Sequence, residues 1–203
     1  MPARQCCFAA IVRPMHRIRA LLFDLDGTLV DSAEANHAAY SRALYEFGVR
    51  IAPDEVARAA MGRQWRDFLP PLLREAGVGS DPAAVARRKG ELYREMLGEL
   101  RVNYALLSLA ASVRPAMRTV LVTTASAESV HAILHHFDLD NCFDLVITGD
   151  DVTRHKPDPE AYRIALERLQ LESVECLAFE DSDVGVTSAE AAGIVVVRVA
   201  FAS

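Results

Sequence analysis

The run Ala20-Leu21-Leu22-Phe23, closed by Asp24-Leu25-Asp26-Gly27, constrains the fold of this chain more than any other stretch. An apolar run of strand length ends abruptly in two carboxylates two positions apart, then a glycine. Residues two apart on a strand share a face, and at the strand's end the chain can bend so that both acids enter one crevice. Like charges in a confined site repel, so the pair calls for a bound cation or for one acid that keeps its proton. A strand followed by an ordinary Asp-Gly turn is the plain alternative.

Beyond this stretch the texture changes twice. From Ser32, a candidate helix cap, to about residue 100 apolar positions recur at helical spacing and no strand pattern emerges. Ala33, Tyr40, Leu44 and Phe47 mark a first helix that Gly48 ends. A short helix covers Asp54 to Ala60, Met61-Gly62 breaks it, and Arg63 opens another with Pro70-Pro71 inside or beside it. Asp81-Pro82 starts a long helix with Val85, Leu92 and Met96 as its stripe. Strands are then predicted over 118–123, 143–148, 176–179 and 194–199. Between them run a helix with the stripe Val130, Ile133, Leu134 and Phe137, a second from the Asp158-Pro159 cap to about Leu169, and a third over 184–192 ended by Gly193. Alternating strands and helices imply right-handed crossovers and an α/β fold with a doubly wound parallel sheet. The expected organisation is a core of residues 18–31 and 103–203, an inserted all-helical cap over 32–102, and a poorly ordered leader over 1–17, with Met15 a candidate true start.

A chain of 203 residues that is 51% hydrophobic suits one domain carrying an insertion. Its net charge of −6 argues against a general nucleic-acid partner. No apolar run approaches the roughly 20 residues needed to cross a bilayer, so no membrane partner is expected. Cys6, Cys7, Cys142 and Cys176 have neither zinc-ligand spacing nor the pattern of a secreted disulfide framework, which points to reduced thiols and a cytoplasmic location.

In a parallel sheet, ligands bind beyond the carboxyl ends of the strands. That rule gathers Asp24, Asp26, Thr123, Thr124, Asp150, Asp151, Glu180, Asp181 and Asp183 on one edge, with Lys156 in the loop before the Asp158 helix. Carboxylates with room for water make a hard-oxygen Mg2+ site. Lysine, hydroxyl and a helix N-terminus make an anion site. Together they suggest phosphoryl chemistry. Taken singly, Thr123 is a strand-end hydroxyl, Lys156 a solvated loop charge, and Asp150 and Asp151 turn residues.

Four motifs in order carry a family resemblance. Phe23-Asp24-Leu25-Asp26-Gly27-Thr28-Leu29, Val122-Thr123-Thr124-Ala125-Ser126, His155-Lys156-Pro157-Asp158 and Phe179-Glu180-Asp181-Ser182 resemble the motifs of the haloacid dehalogenase-like hydrolase superfamily. The helical insertion resembles the bundle cap of its phosphoglycolate phosphatase and β-phosphoglucomutase branch. The resemblance implies that Asp24 attacks phosphorus to form an aspartyl phosphate and that Asp26 is acid, then base, with its backbone carbonyl on Mg2+. It implies that Thr123 and the Thr124 amide hold phosphoryl oxygens, that Lys156 balances charge, and that Asp181 completes the metal shell with Glu180 and Asp183 orienting its waters. An acid at Asp26 argues against carbon–halogen and carbon–phosphorus cleavage. The implied activity is that of a Mg2+-dependent phosphatase of a small phosphorylated metabolite, a sugar phosphate or a phosphoglycolate-like compound, working as a monomer or homodimer.

Substrate choice is expected from the cap. The loop around Gly62 nominates Arg63, Gln64, Trp65 and Arg66, with Trp65 equally readable as bundle packing. Lys89 borders the apolar stripe four residues before Tyr93, facing the cleft or snorkelling along the bundle edge. The return segment 103–114 lacks the family's Pro-Gly, and Ala105 to Ala111 is nearly all apolar or small, so an unusual hinge is expected. Three other classes compete: a phosphomutase of the same fold, a receiver-like signalling domain, and an interaction protein with a dead site. The paired acids and the long cap weigh against the receiver.

Overall fold

The computed structural model describes residues 17–60, 63 and 65–201. All but the last residue of the 1–17 leader, with its two cysteines and Met15, and also the Met61-Gly62 break and Gln64, lie outside the described residues.

Five strands form one parallel sheet: β1 (Ala20–Phe23), β4 (Arg118–Val122), β5 (Leu145–Ile147), β6 (Cys176–Glu180) and β7 (Val195–Arg198), in the spatial order β5-β4-β1-β6-β7. All five were legible as apolar runs. β1 is central, and its residues alternate between two cores. Leu21 and Phe23 pack on one face with Leu121 and Phe179, the Phe23 and Phe179 rings stacking at 4.9 Å. Ala20 and Leu22 pack on the other with Val120, Val122, Ile147 and Ala178. A strand buried on both faces has no polar alternation, which is why the run reads as it does.

Helices cover both faces. Helix α5 (Tyr104–Val113) and α6 (Ala127–His136) lie on the side of Phe23, and α7 (Glu160–Leu169) and α8 (Asp183–Ala191) on the side of Leu22. The cap is the run of helices α1 (Ala33–Glu46), α2 (Pro53–Ala60), α3 (Trp65–Glu75) and α4 (Pro82–Glu95). Phe68, Leu69, Leu72, Leu73, Val85 and Leu92 are buried among them, and Tyr40 meets Phe68 edge-on at 5.1 Å. Asp81 caps α4 as expected, accepting from the Ala83 amide at 3.0 Å. Pro70 and Pro71 lie inside α3.

The junction of cap and core is a two-stranded antiparallel ribbon of β2 (Val30–Asp31) and β3 (Arg101–Val102), which the sequence patterns did not signal because each strand is two residues long. Arg101 pairs with Asp31 across it. Asn103 supplies what the missing Pro-Gly would have fixed: its amide nitrogen Nδ2 donates to Thr28 O at 3.2 Å, its backbone N–H to Leu29 O at 2.8 Å, and its Oδ1 accepts from the Leu106 amide at 3.2 Å, capping α5. The apolar segment after it is α5 itself, with Leu106, Leu107 and Leu109 packed on the core.

Candidate active site

The site lies at the carboxyl edge of β1, β4 and β6. β1 delivers Asp24, whose backbone N–H donates to Phe179 O on β6 at 3.0 Å, so the chain is held to the sheet until the acid. The next residues turn sharply. The Gly27, Leu29 and Val30 amides donate to Val30 O and Leu25 O, folding Asp26 back over the strand end.

Lys156 is the hub. Its ammonium donates to Asp24 Oδ1 at 2.7 Å, to Glu180 Oε1 at 2.6 Å and to Val122 O at 2.9 Å, joining β1, β6 and β4 in one buried contact. Burial would strip the proton from a lysine, yet Asp24, Tyr162 and Glu180 raise its pKa well above the ordinary value, and it stays charged. Glu180 is fully buried, and its carboxyl is pushed up to about 7 by burial and by Asp24, against the pull of Lys156. Tyr162 on α7 completes the cluster, its hydroxyl donating to Glu180 Oε1 at 2.5 Å.

Asp26 sits apart from this hub. Its pKa is raised, first by burial and then by the charge of Asp24, while Ser32 and two lysines oppose the shift. Ser32 was expected to cap α1. It does stand at the cap position, but makes no side-chain cap; its hydroxyl donates to Asp26 Oδ1 at 2.5 Å. A hydrogen bond to a carboxyl is stronger than one to a neutral acceptor, and it aims the hydroxyl at Asp26.

Asp24, Glu180 and Asp181 each direct a carboxylate oxygen to within 4.8 Å of the others. Burial first, then Asp24, raises the pKa of Asp181. Three crowded acids with one lysine between two of them carry surplus negative charge, and hard oxygens at this spacing fit a divalent cation. Gly27 shapes the same place. Its φ is +85°, and a Cβ there would lie 2.6 Å from Asp181 Cγ, so this position both turns the chain and admits the carboxylate. Asp183 is not in the cluster. Its exposed carboxylate pairs with Arg198 at 2.5 Å on β7.

Thr123 is buried at the end of β4, its Oγ1 accepting from the Ala125 amide at 3.0 Å, which leaves its O–H directed by whatever acceptor it meets. Thr124 lines the cavity described below. Asp150 and Asp151 have structural partners. Asp150 accepts from the Ala127 amide at the start of α6 at 2.8 Å, and Asp151 closes a capping box with Thr148 and pairs with Arg168 at 3.1 Å.

A cavity of about 520 Å³ separates cap from core, reaching from Asp26 and Thr124 to Arg63, Trp65, Arg66 and Lys89. Lys89 therefore faces the cleft. Its ammonium lies 4.8 Å from the Tyr40 ring and 4.5 Å from the Tyr93 ring, and burial lowers its pKa to about 8 although Asp26 pulls the other way. Trp65 both lines the cavity and packs, partly buried, against the hydrophobic cluster. Sequence reasoning missed Tyr162, Gly185 and the acid-binding role of Ser32. A Cβ on Gly185, in the first turn of α8, would lie 2.5 Å from Glu180 Oε1 and closer still to Oε2. A glycine five residues after a strand-end acid is the signal that was available.

The model of the haloacid dehalogenase-like hydrolases matches residues 21–199. Fructose-1-phosphate phosphatase YqaB of Escherichia coli is 30% identical over 88% of this chain and 94% of its own length. A phosphorylated carbohydrates phosphatase of Thermotoga maritima is 32% identical over 87% of this chain and 82% of its own. The crystal structure of CbbY from Rhodobacter sphaeroides in complex with phosphate superposes with a TM-score of 0.80 at 27% identity, over 88% of this chain and 84% of that one. No helix among the described residues is long and apolar enough to cross a membrane. The chain belongs to the haloacid dehalogenase-like hydrolase family, in its branch of helical-cap phosphatases and phosphoglucomutases.

Proposed function

We propose that this enzyme is a Mg2+-dependent phosphatase of a small phosphorylated metabolite and that it works through an aspartyl phosphate on Asp24. The observation that carries the reading is the buried lysine shared by Asp24 and Glu180 beside a second acid, Asp26, whose pKa burial raises. The two acids have different partners, Asp24 the Lys156 ammonium and Asp26 the Ser32 hydroxyl, which suits a nucleophile beside a proton donor.

In the first step a carboxylate oxygen of Asp24 attacks phosphorus as the bond to the leaving oxygen breaks, and Asp26 gives its proton to that oxygen. In the second, Asp26 takes a proton from water as the water oxygen attacks the same phosphorus and releases Asp24. Splitting hydrolysis into two displacements lowers each barrier. Lys156 fixes the Asp24 carboxylate and offsets charge as phosphate approaches. Glu180, gripped by Lys156 and Tyr162, keeps the lysine aimed. The Thr123 hydroxyl and the Thr124 amide are assigned to the phosphoryl oxygens. Asp24, the Asp26 carbonyl and Asp181, with Glu180 near them, would hold Mg2+, which when bound neutralises phosphoryl charge in the transition state. Residues 18–31 and 103–203 are assigned to the catalytic core and 32–102 to the cap, whose Lys89 and Arg63 address the leaving group. YqaB and the Thermotoga enzyme, named for phosphorylated sugars, support a sugar phosphate as the substrate.

The test is hydrolysis of p-nitrophenyl phosphate with Mg2+, after chelation, and after adding the ion back. Turnover should vanish with chelator and return. Full turnover in chelator, or none in Mg2+, refutes the reading.

A further inference from the structure

We propose that His131 and His135, on the outer face of α6, hold a late first-row transition ion such as Ni2+, Cu2+ or Zn2+, and that Asp140 orients one of the two rings toward it. The site is separate from the acidic cluster of Asp24, Glu180 and Asp181 and does not rest on the phosphatase reading.

Residues four apart on a helix stand one above the other on a single face. His131 and His135 are such a pair. Both are exposed, and their rings are nearly parallel, with planes 18° apart and centres at 6.0 Å. Ile133 and Leu134, between them in sequence, are buried in the core. Two imidazoles at this spacing can chelate one ion, which is how helical zinc sites take two of their ligands. On a tetrahedral ion with Zn–N bonds of about 2 Å the ring centres stand about 5 Å apart. Closure by about 1 Å is within the fast rotation of exposed side chains. His136 is not part of the pair; its ring meets Phe137 edge-on at 4.8 Å.

The end of α6 supplies the second element. Leu139 N–H donates to Leu134 O at 2.7 Å and Asp138 takes a φ of +57°, so the chain reverses just past the helix. The reversal brings Asp140 Oδ2 to 3.3 Å from His135 Nδ1. An ionised carboxylate only accepts, so Nδ1 carries the hydrogen and the lone pair falls to Nε2, the nitrogen left to meet an ion. An acid behind a ligating histidine also raises its basicity. No lysine or arginine pairs with Asp140 among the described residues, so its charge serves the ring and the ion. Histidines in a last turn have a plainer use, favouring the negative end of the helix dipole. That use needs neither a parallel pair nor an acid aimed at one ring. Imidazole donors suit nickel, copper and zinc, whereas Mg2+ prefers oxygens such as those at the strand ends.

The experiment titrates Ni2+ into the untagged full chain held in saturating Mg2+. It follows the ring-proton NMR signals of His131 and His135, each identified by its absence from H131Q or H135Q. Both signals should be lost over one Ni2+ range, and earlier than those of His37 and His155. The His135 signal in H131Q, where chelation is gone, and both signals in D140N should need about tenfold more Ni2+ or greater, the scale on which even an outer-shell partner acts. Rings that keep their signals in the wild type, or a His135 signal that titrates in H131Q as it does in the wild type, overturn the site. A D140N titration that matches the wild type overturns the role of Asp140 alone.

Discussion

Replacing Gly185 by alanine should disable the site from outside it. Gly185 touches no substrate; it lies in the first turn of α8, beneath the Glu180 carboxylate. A Cβ built there would lie 2.5 Å from Glu180 Oε1 and closer still to Oε2, where about 3.5 Å is needed, so the carboxylate must retreat by at least about 1 Å. That retreat breaks the 2.6 Å contact to Lys156 and the 2.5 Å contact to Tyr162. Two charge-assisted hydrogen bonds at about 1.5–3 kcal/mol each are set against at most about 1 kcal/mol gained from alanine's helix propensity. The balance is a loss of about 2–5 kcal/mol. Lys156 loses its second anchor, and a misplacement of about 1 Å near reacting atoms lowers the rate about a hundredfold. Urea unfolding and p-nitrophenyl phosphate turnover read both effects. Gly90→Ala on α4, where a Cβ meets only Arg94 at 4.0 Å, should be neutral or stabilising in the same unfolding assay. A G185A enzyme as stable and as active as wild type would refute the reasoning.

Three further outcomes are expected. Asp181→Ala should raise the Mg2+ concentration for half-maximal activity by an order of magnitude or more, since a hard cation that keeps most of its waters relies on few carboxylates; an unchanged Mg2+ titration contradicts this. Ser32→Ala removes the hydrogen bond that opposes the upward shift of Asp26, so the alkaline limb of the kcat/KM profile should move to higher pH, and a limb that stays or moves down contradicts it. Lys89 has a folded pKa of about 8 against an ordinary 10.5, so the folded state holds fewer protons than the unfolded one between those values. Its burial penalty is therefore full below pH 8 and relieved as pH rises to 10.5; wild type should gain stability relative to K89M across that window in urea titrations, and a constant difference would show the ammonium to be solvated.

The core of the fold was legible because its central strands β1 and β6 are buried on both faces and so carry no polar interruption, and because Gly48 and Gly193, with φ of +87° and +82°, stop helices where glycine is most comfortable. The acids at the strand ends were legible for the same reason: carboxylates directly after an apolar run have few structural uses. What remained hidden depends on tertiary contact. Ser32 has the local pattern of a helix cap, and only the fold of 24–30 brings the Asp26 carboxyl within reach of its hydroxyl. Tyr162 looks like any buried position of α7 until Glu180 is seen beneath its hydroxyl. Asp183 closely follows Glu180 and Asp181 of the acidic cluster but begins a helix, and the helix carries it away to Arg198. The hinge is two residues per strand, below the length at which alternation can be read.

The covalent role proposed for Asp24 is the centre of the account, and acid-quench mass spectrometry of the enzyme during steady-state turnover in Mg2+ tests it most directly. A phosphoryl adduct confined to the peptide that contains Asp24, absent from D24N and absent with chelator, is the expected result. An enzyme that turns over steadily with no adduct there, or a D24N variant that keeps more than a few per cent of the rate, would contradict it.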